Sequence, residues 1–153
     1  HLRRNLESLL ASRMTEEPAI LIEGPRAAGK STMLQTIAAQ TGRTIIDLAD
    51  PTVRSLVAQD PAGFIEIDSP PHLIDEYQYL PDLLPVIKRK VDAGRISGQF
   101  VLTGSTTGEL LPRGTETLTG RIHNMNLLAS RRERFLATKK TSLLGVLLTL
   151  RIF

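Results

Sequence analysis

Residues Gly24-Pro25-Arg26-Ala27-Ala28-Gly29-Lys30-Ser31 match the pattern G-x-x-x-x-G-K-[ST] at every fixed position. The flanks suit the match. Ala19-Ile20-Leu21-Ile22 reads as a short buried strand, and Thr32 to Ala39 as the helix that leaves the turn. A strand, a glycine-bearing turn and a helix start form an anion site for physical reasons. Glycines let the backbone bend without a Cβ clash. Successive N–H groups then face inward, and the helix N-terminus adds donors and a favourable dipole. In this pattern Lys30 meets β- and γ-phosphates, and the Ser31 hydroxyl ligates Mg²⁺. The remaining loop positions and Thr32 contribute backbone. The plainer reading is a glycine-rich turn that happens to contain a lysine.

The rest of the chain alternates short apolar strands with helical stretches. Residues 2–13 place Leu2, Leu6, Leu9 and Leu10 at helical spacing. Thr44 to Leu48, His72 to Glu76, Gln99 to Thr103 and Arg121 to Leu127 read as further strands. Asp50-Pro51 starts a turn or helix with Val53, Leu56 and Val57 as its apolar side, and Asp60-Pro61 starts another. Residues 80–91 are mostly helical, with Pro81 and Pro85 suited to the first turn. Strands alternating with helices predict an α/β fold, a parallel sheet covered on both faces. Ligands of such sheets gather at the C-terminal strand ends. That rule brings the loop from Gly24, the pair Asp75-Glu76 and Thr103-Gly104-Ser105 to one edge.

An apolar strand ending in two acids is the Walker B pattern. Asp75 then binds Mg²⁺ opposite Ser31, directly or through water, and Glu76 orients and polarises the attacking water. A solvated acidic turn is the alternative. Thr103 and Ser105 end their strand near these acids, as hydrogen-bond partners of a γ-phosphate or water, or as an ordinary Ser/Thr turn. Arg121 is a candidate to meet a γ-phosphate, including that of a neighbouring subunit. Arg113 is a weaker one, and a surface ion pair is the other reading of both. Arg26 decorates the nucleotide edge or pairs locally. His72 and His123 read as strand residues outside any metal-like cluster. Tyr77 and Tyr79 read as packing residues.

Charge needs care. The formal net charge is +3, but six of the 19 Lys/Arg lie in residues 131–153 against one acid, Glu133. Residues 1–130 are therefore slightly acidic and give no electrostatic footprint for nucleic acid. With no cysteine in 153 residues, disulfides and thiolate metal sites are excluded. No apolar run reaches the ~20 residues of a membrane span, and the start lacks the apolar run of a signal peptide. Nothing in the sequence suggests secretion, and a cytoplasmic setting is the expectation. The absence of an initiator Met suggests a fragment.

Six segments, in order and spacing, resemble the prokaryotic AAA-superfamily ATPases that carry an extra C-terminal domain of unknown function. They are Gly24 to Thr32, Asp47-Leu48-Ala49-Asp50-Pro51, Asp60-Pro61, Leu73 to Gln78, Leu102 to Ser105, and Leu118-Thr119-Gly120-Arg121. The resemblance covers about residues 2–130. It implies a P-loop NTPase three-layer α/β/α sandwich with a mainly parallel five-stranded sheet, order 5-1-4-3-2. It further implies a nucleotide-binding loop at 24–32, a Walker B pair at Asp75 and Glu76, a sensor at Thr103 and a trans-acting arginine at Arg121. ATP, rather than GTP, is the implied nucleotide. The helical lid of the family is missing, as is the extra domain. The expected organisation is a core over 1–130 and a basic then apolar tail over 131–153.

In that tail Ser130 and Glu133 fit the family, whereas Leu128 stands at its usual Pro. From about residue 135 the tail is read as out-of-frame and poorly ordered, because codons for Ala137 to Leu143 read one base earlier are compatible with an acidic run. A terminal helix covering one sheet face is the other reading.

Three functions follow as expectations. The first is an ATP-binding module with Mg²⁺-dependent hydrolysis coupled to conformational change. It takes ATP and ADP as ligands, self-associates through a trans arginine, and acts on no identifiable client. The second is a nucleotide-binding module with little turnover, because the lid and partner arginine are missing. The third is a small-molecule kinase, disfavoured by the position of Glu76.

Overall fold

A computed structural model of the chain describes residues 2–25, 28–105, 122–129, 134–140 and 147–152. Strand β1, Ala19–Gly24, is buried at all six positions, as a central strand with helices on both faces must be. Helix α1, Leu2–Met14, precedes it. Helix α2, Lys30–Thr41, begins after Gly29 and stops at Gly42. Gly42 takes the left-handed conformation, φ 70°, and donates its N–H to Ala38 O at 2.8 Å. Strand β2, Ile45–Asp47, follows.

Both Asp-Pro pairs start helices. In α3, Pro51–Gln59, the Asp50 carboxylate accepts from Thr52 N. In α4, Pro61–Glu66, Asp60 accepts from Gly63 N. Each proline sits where its missing N–H costs nothing. Val57 is buried on α3 as expected, but Leu56 is 52% exposed, because the apolar side is narrower than the spacing suggested. Strand β3, His72–Asp75, leads into a 3₁₀ turn at Tyr77–Tyr79. Helix α5, Leu83–Ala93, buries Leu83, Leu84, Ile87 and Val91 and holds Pro85 in its first turn. Strand β4, Phe100–Ser105, runs two residues further than expected. Strands β5, Ile122–Ala129, β6, Arg134–Lys140, and β7, Leu147–Ile152, complete the described elements.

The sheet order is β2-β3-β4-β1-β5-β6-β7. Its first five strands are parallel and stand in the implied order. Strands β6 and β7 then pair antiparallel, widening the sheet to seven. Residues 147–152 therefore form a strand and not a terminal helix. Their apolar residues Leu148, Leu150 and Ile152 recur at the two-residue period of a strand.

Alternation along the strands feeds two cores, one per face. Ala19, Leu21, Ile74, Phe100 and Leu102 pack with Val57, Ile65 and the buried residues of α5. Ile20, Ile22, Leu73, Val101 and Met125 pack with Leu6 and Leu10 of α1 and Met33, Leu34 and Ile37 of α2. Each fully buried Leu or Ile contributes about 1.5–3 kcal/mol relative to exposure. The result is the expected three-layer α/β/α arrangement. No helix among the described residues is long and apolar enough to cross a membrane.

Two packing details generate predictions. The buried Tyr77 ring lies against Gly104, and a Cβ added there would overlap ring atom Cε1. Gly104→Ala should therefore destabilise the fold by about 1–3 kcal/mol in urea denaturation. Tyr77→Phe should leave stability unchanged or higher, since its buried hydroxyl has no partner among the described residues.

The second detail is His72, buried and packed at 5.0 Å between ring centroids against Phe100. Burial lowers its pKa from 6.5; Lys90 and Arg43 push the same way and Asp68 opposes them. Just below that ordinary value the unfolded chain binds a proton that the folded one refuses, so stability falls with falling pH. Denaturation between about pH 7 and about pH 5 should show wild type losing more stability than His72→Gln.

Candidate functional site

Parallel pairing sets the ends of β1, β3 and β4 side by side. Gly24 pairs with Ser105 across β1 and β4, and Ile74 pairs with Leu102 across β3 and β4. Asp75 and Thr103 are the next residues on their strands. Three chain segments thus deliver their polar termini to one edge, as the sequence predicted.

The turn after β1 supplies the cationic part. Ala28 N donates to Pro25 O at 3.2 Å, and Gly29 takes φ 97°, a conformation that favours glycine, before α2 begins. The first-turn N–H groups of α2, which lack intrahelical acceptors, open here. Lys30 is 4% exposed; its Nζ donates to Gly24 O at 2.6 Å and to Pro25 O at 2.8 Å. Burial lowers the Lys30 pKa, and the charges of Glu76 and Asp75 raise it. The two carbonyls and the two acids offset part of the cost of burying the ammonium. Thr32 lies exposed in the same helical turn, its carbonyl accepting from Thr36.

The acids are held across from Lys30. Ser31 Oγ donates to Asp75 Oδ2 at 3.0 Å. Thr103, fully buried, donates through Oγ1 to Asp75 Oδ1 and accepts at the same atom from Glu76 N at 3.0 Å. Glu76 adopts φ 57° and ψ 54°, left-handed for a residue with a side chain. Its carboxylate accepts from Ser105 Oγ at 3.0 and 3.2 Å and from Gln78 Nε2. Neighbouring Glu23, at the end of β1, is 6% exposed, and its burial raises its pKa.

The structure therefore brings together Gly24, Pro25, Ala28, Gly29, Lys30, Ser31, Asp75, Glu76, Thr103 and Ser105. Arg26, Ala27, Arg113 and Arg121 lie outside the described residues. Tyr79 is 44% exposed and receives Arg54 over its ring at 5.3 Å. The sequence reading missed the polar role of Gln78. Its signals were proximity to the acid pair, two residues on, and its place at the end of the segment Leu73 to Gln78 that carries the family resemblance, and neither assigned it a role. Among the described residues no group of three or more His, Cys, Asp or Glu could hold a metal ion. The local oxygen set is Ser31 and Asp75. Both are oxygen donors, the ligand chemistry that Mg²⁺ takes, and they are joined here by a hydrogen bond of 3.0 Å.

Comparison with known proteins adds a family. A sequence model described as "AAA domain" matches residues 16–136. An uncharacterized protein of Mycobacterium bovis and one of Mycobacterium tuberculosis are each 30% identical over 125 residues, 82% of this chain. The chain spans 28% of the length of these curated relatives.

The double duty of Thr103 is testable. Thr103→Val keeps the shape but strips a donor from Asp75 and an acceptor from Glu76 N–H. It should cost about 1–3 kcal/mol in chemical denaturation, with Thr103→Ser recovering most of the loss.

Proposed function

This chain belongs to the AAA-domain family, and from that premise we propose that it is an ATP-binding module that hydrolyses ATP with Mg²⁺. The supporting observation is the meeting of Lys30, Ser31, Asp75, Glu76 and Thr103 from three strand ends around one glycine-bearing turn. In this reading Gly24 to Thr32 cradles the phosphates through backbone N–H groups, with Lys30 leaving its carbonyl partners for the β/γ-phosphate oxygens. Ser31 and Asp75 would hold Mg²⁺, which would supply positive charge against the negative charge that develops on the phosphates. Glu76 orients a water molecule and takes its proton, and Thr103 keeps both acids in place. Arg121 meets the γ-phosphate of a neighbouring copy, which makes turnover depend on self-association. Conformational change is the output, and a cytoplasmic setting supplies the nucleotide.

One observation favours a second reading, binding with little turnover. The Glu76 carboxylate already accepts from Ser105 and Gln78, so as placed it is engaged by protein donors.

Calorimetry with ATP and phosphate-release assays on the same variants separate the two. Lys30→Ala should lose about 10-fold or more in ATP affinity. Glu76→Gln should bind ATP as wild type does and lose about 10²-fold or more in turnover. Arg121→Ala should lower turnover at high protein concentration without weakening binding. Unchanged ATP affinity in Lys30→Ala would refute nucleotide binding at this turn. Negligible wild-type turnover with intact binding would establish the second reading.

A further inference from the structure

Strand β2 is the outermost strand on its side, so the sheet ends there without a neighbour. A cavity of about 450 Å³ opens beside the first residues of β2 and β3. That volume falls within the range of small-molecule sites, about 300–1,000 Å³. Its apolar walls are Ile45 and Ile46 of β2, Val53 of α3, Phe64 of α4 and the following Ile67. The first four pack against the two cores yet stay only half-buried, and Ile67 is 78% exposed. Apolar surface is thus left uncovered around one hollow.

Two polar side chains also line it. His72 is 5% exposed, and Phe100 packs against its ring. Among the described residues no hydrogen bond reaches either ring nitrogen, and neither nitrogen is one of the unpartnered atoms sealed from solvent, as the Gln99 side-chain oxygen is. The ring therefore opens onto the cavity with its polar atoms unused. Asp68 stands at the rim. Its Oδ1 accepts from Arg43 Nη1 at 2.9 Å and from Ser69 N at 2.8 Å, and its Oδ2 takes no bond among the described residues.

These groups restrict what fits. Burial keeps His72 neutral at pH 7, with Lys90 and Arg43 acting the same way and Asp68 opposing them. A neutral imidazole offers one N–H donor and one lone pair, and a hydroxyl, which both donates and accepts, can answer either. A carboxylate only accepts, and it would lie close to Asp68. An ammonium only donates, and it would lie close to Arg43 and Lys90. An occupant with no polar group would displace water from the ring and leave it unbonded.

We propose that this cavity binds a small, uncharged and mainly apolar molecule that carries a hydroxyl, a phenol or an alcohol, with the hydroxyl on His72. The site is distinct from the one built around Lys30. His72 is the first residue of β3 and Asp75 the last, so the two sites occupy opposite edges of the sheet. Occupancy requires neither nucleotide nor Mg²⁺.

The test titrates 2-naphthol, 2-methoxynaphthalene and 2-naphthoate into the full chain, with fluorescence for affinity and NMR of the His72 ring for location. The methyl ether accepts a hydrogen bond but cannot donate one, and the naphthoate is charged. Wild type should bind 2-naphthol saturably, about 10-fold tighter than either comparator, and the His72 ring resonances should shift. His72→Phe should bring 2-naphthol to within about two-fold of the ether without weakening the ether. Val53→Phe, which takes up space at the wall, should weaken 2-naphthol by about 10-fold or more. If His72→Phe does not fold, the wild-type preference and the ring shifts still decide the matter. No saturable 2-naphthol binding, or equal affinity for the naphthol and its ether in wild type, would overturn the proposal. Tighter binding of 2-naphthoate would overturn the choice of an uncharged ligand. Unchanged 2-naphthol affinity in Val53→Phe with unshifted His72 resonances would place the naphthol elsewhere and overturn it too.

Discussion

The Thr103 hydroxyl donates to the Asp75 carboxylate and accepts from the Glu76 N–H, and the placement of both acids follows from those two bonds. Regular pairing of β3 with β4 ends at Ile74 and Leu102. One residue later the two strands would be free to diverge, and the side chain of Thr103 continues the ladder in place of the backbone. Asp75 is tied on its other flank as well, since its carbonyl accepts from Leu48 N at 3.1 Å. The acid is therefore fixed to β2 and β4 at once. Because Ser31 reaches Asp75 from the first turn of α2, the same carboxylate fixes the distance between the turn after β1 and the end of β3. A rigid sheet edge, and not the loops around it, sets the site's dimensions.

Electrostatics explain why these groups share one place. Lys30 is buried, and an isolated buried ammonium is strongly disfavoured. Two carbonyls and the nearby charges of Asp75 and Glu76 offset part of that cost. The acids in turn face a cation and hydroxyl donors. Each half of the site stabilises the other.

Much of this was legible in the chain because the signals are short-range or periodic. The loop pattern fixes Gly24, Gly29 and Lys30 by spacing alone. The Asp-Pro pairs announced α3 and α4 because a capping carboxylate and a proline at the first helical position act within one turn. The strand order of β1 to β5 came from family resemblance, since no local pattern encodes which strands become neighbours. Strands β6 and β7 were not foreseen, because a short apolar run such as Leu147 to Ile152 is compatible with helix or strand until a partner strand is known. Gln78 and the packing of Tyr77 on Gly104 escaped for a related reason. Both depend on the left-handed turn at Glu76, and a glutamate gives no warning of such a conformation.

That turn also shows where stability has been exchanged for geometry. A glycine at position 76 would enter the left-handed region without strain, yet it would carry no carboxylate. The chain keeps the acid and holds it with Thr103, Ser105 and Gln78. Nearby, the Tyr77 hydroxyl and the Gln78 carbonyl are buried without partners, and Glu23 is buried where its charge is disfavoured. None of these choices favours the folded state. Elsewhere the sheet is packed with aliphatic side chains in two ordinary cores. A strained acid held in place by three side chains, against an otherwise consistent fold, marks a place where the sequence is constrained by something other than folding.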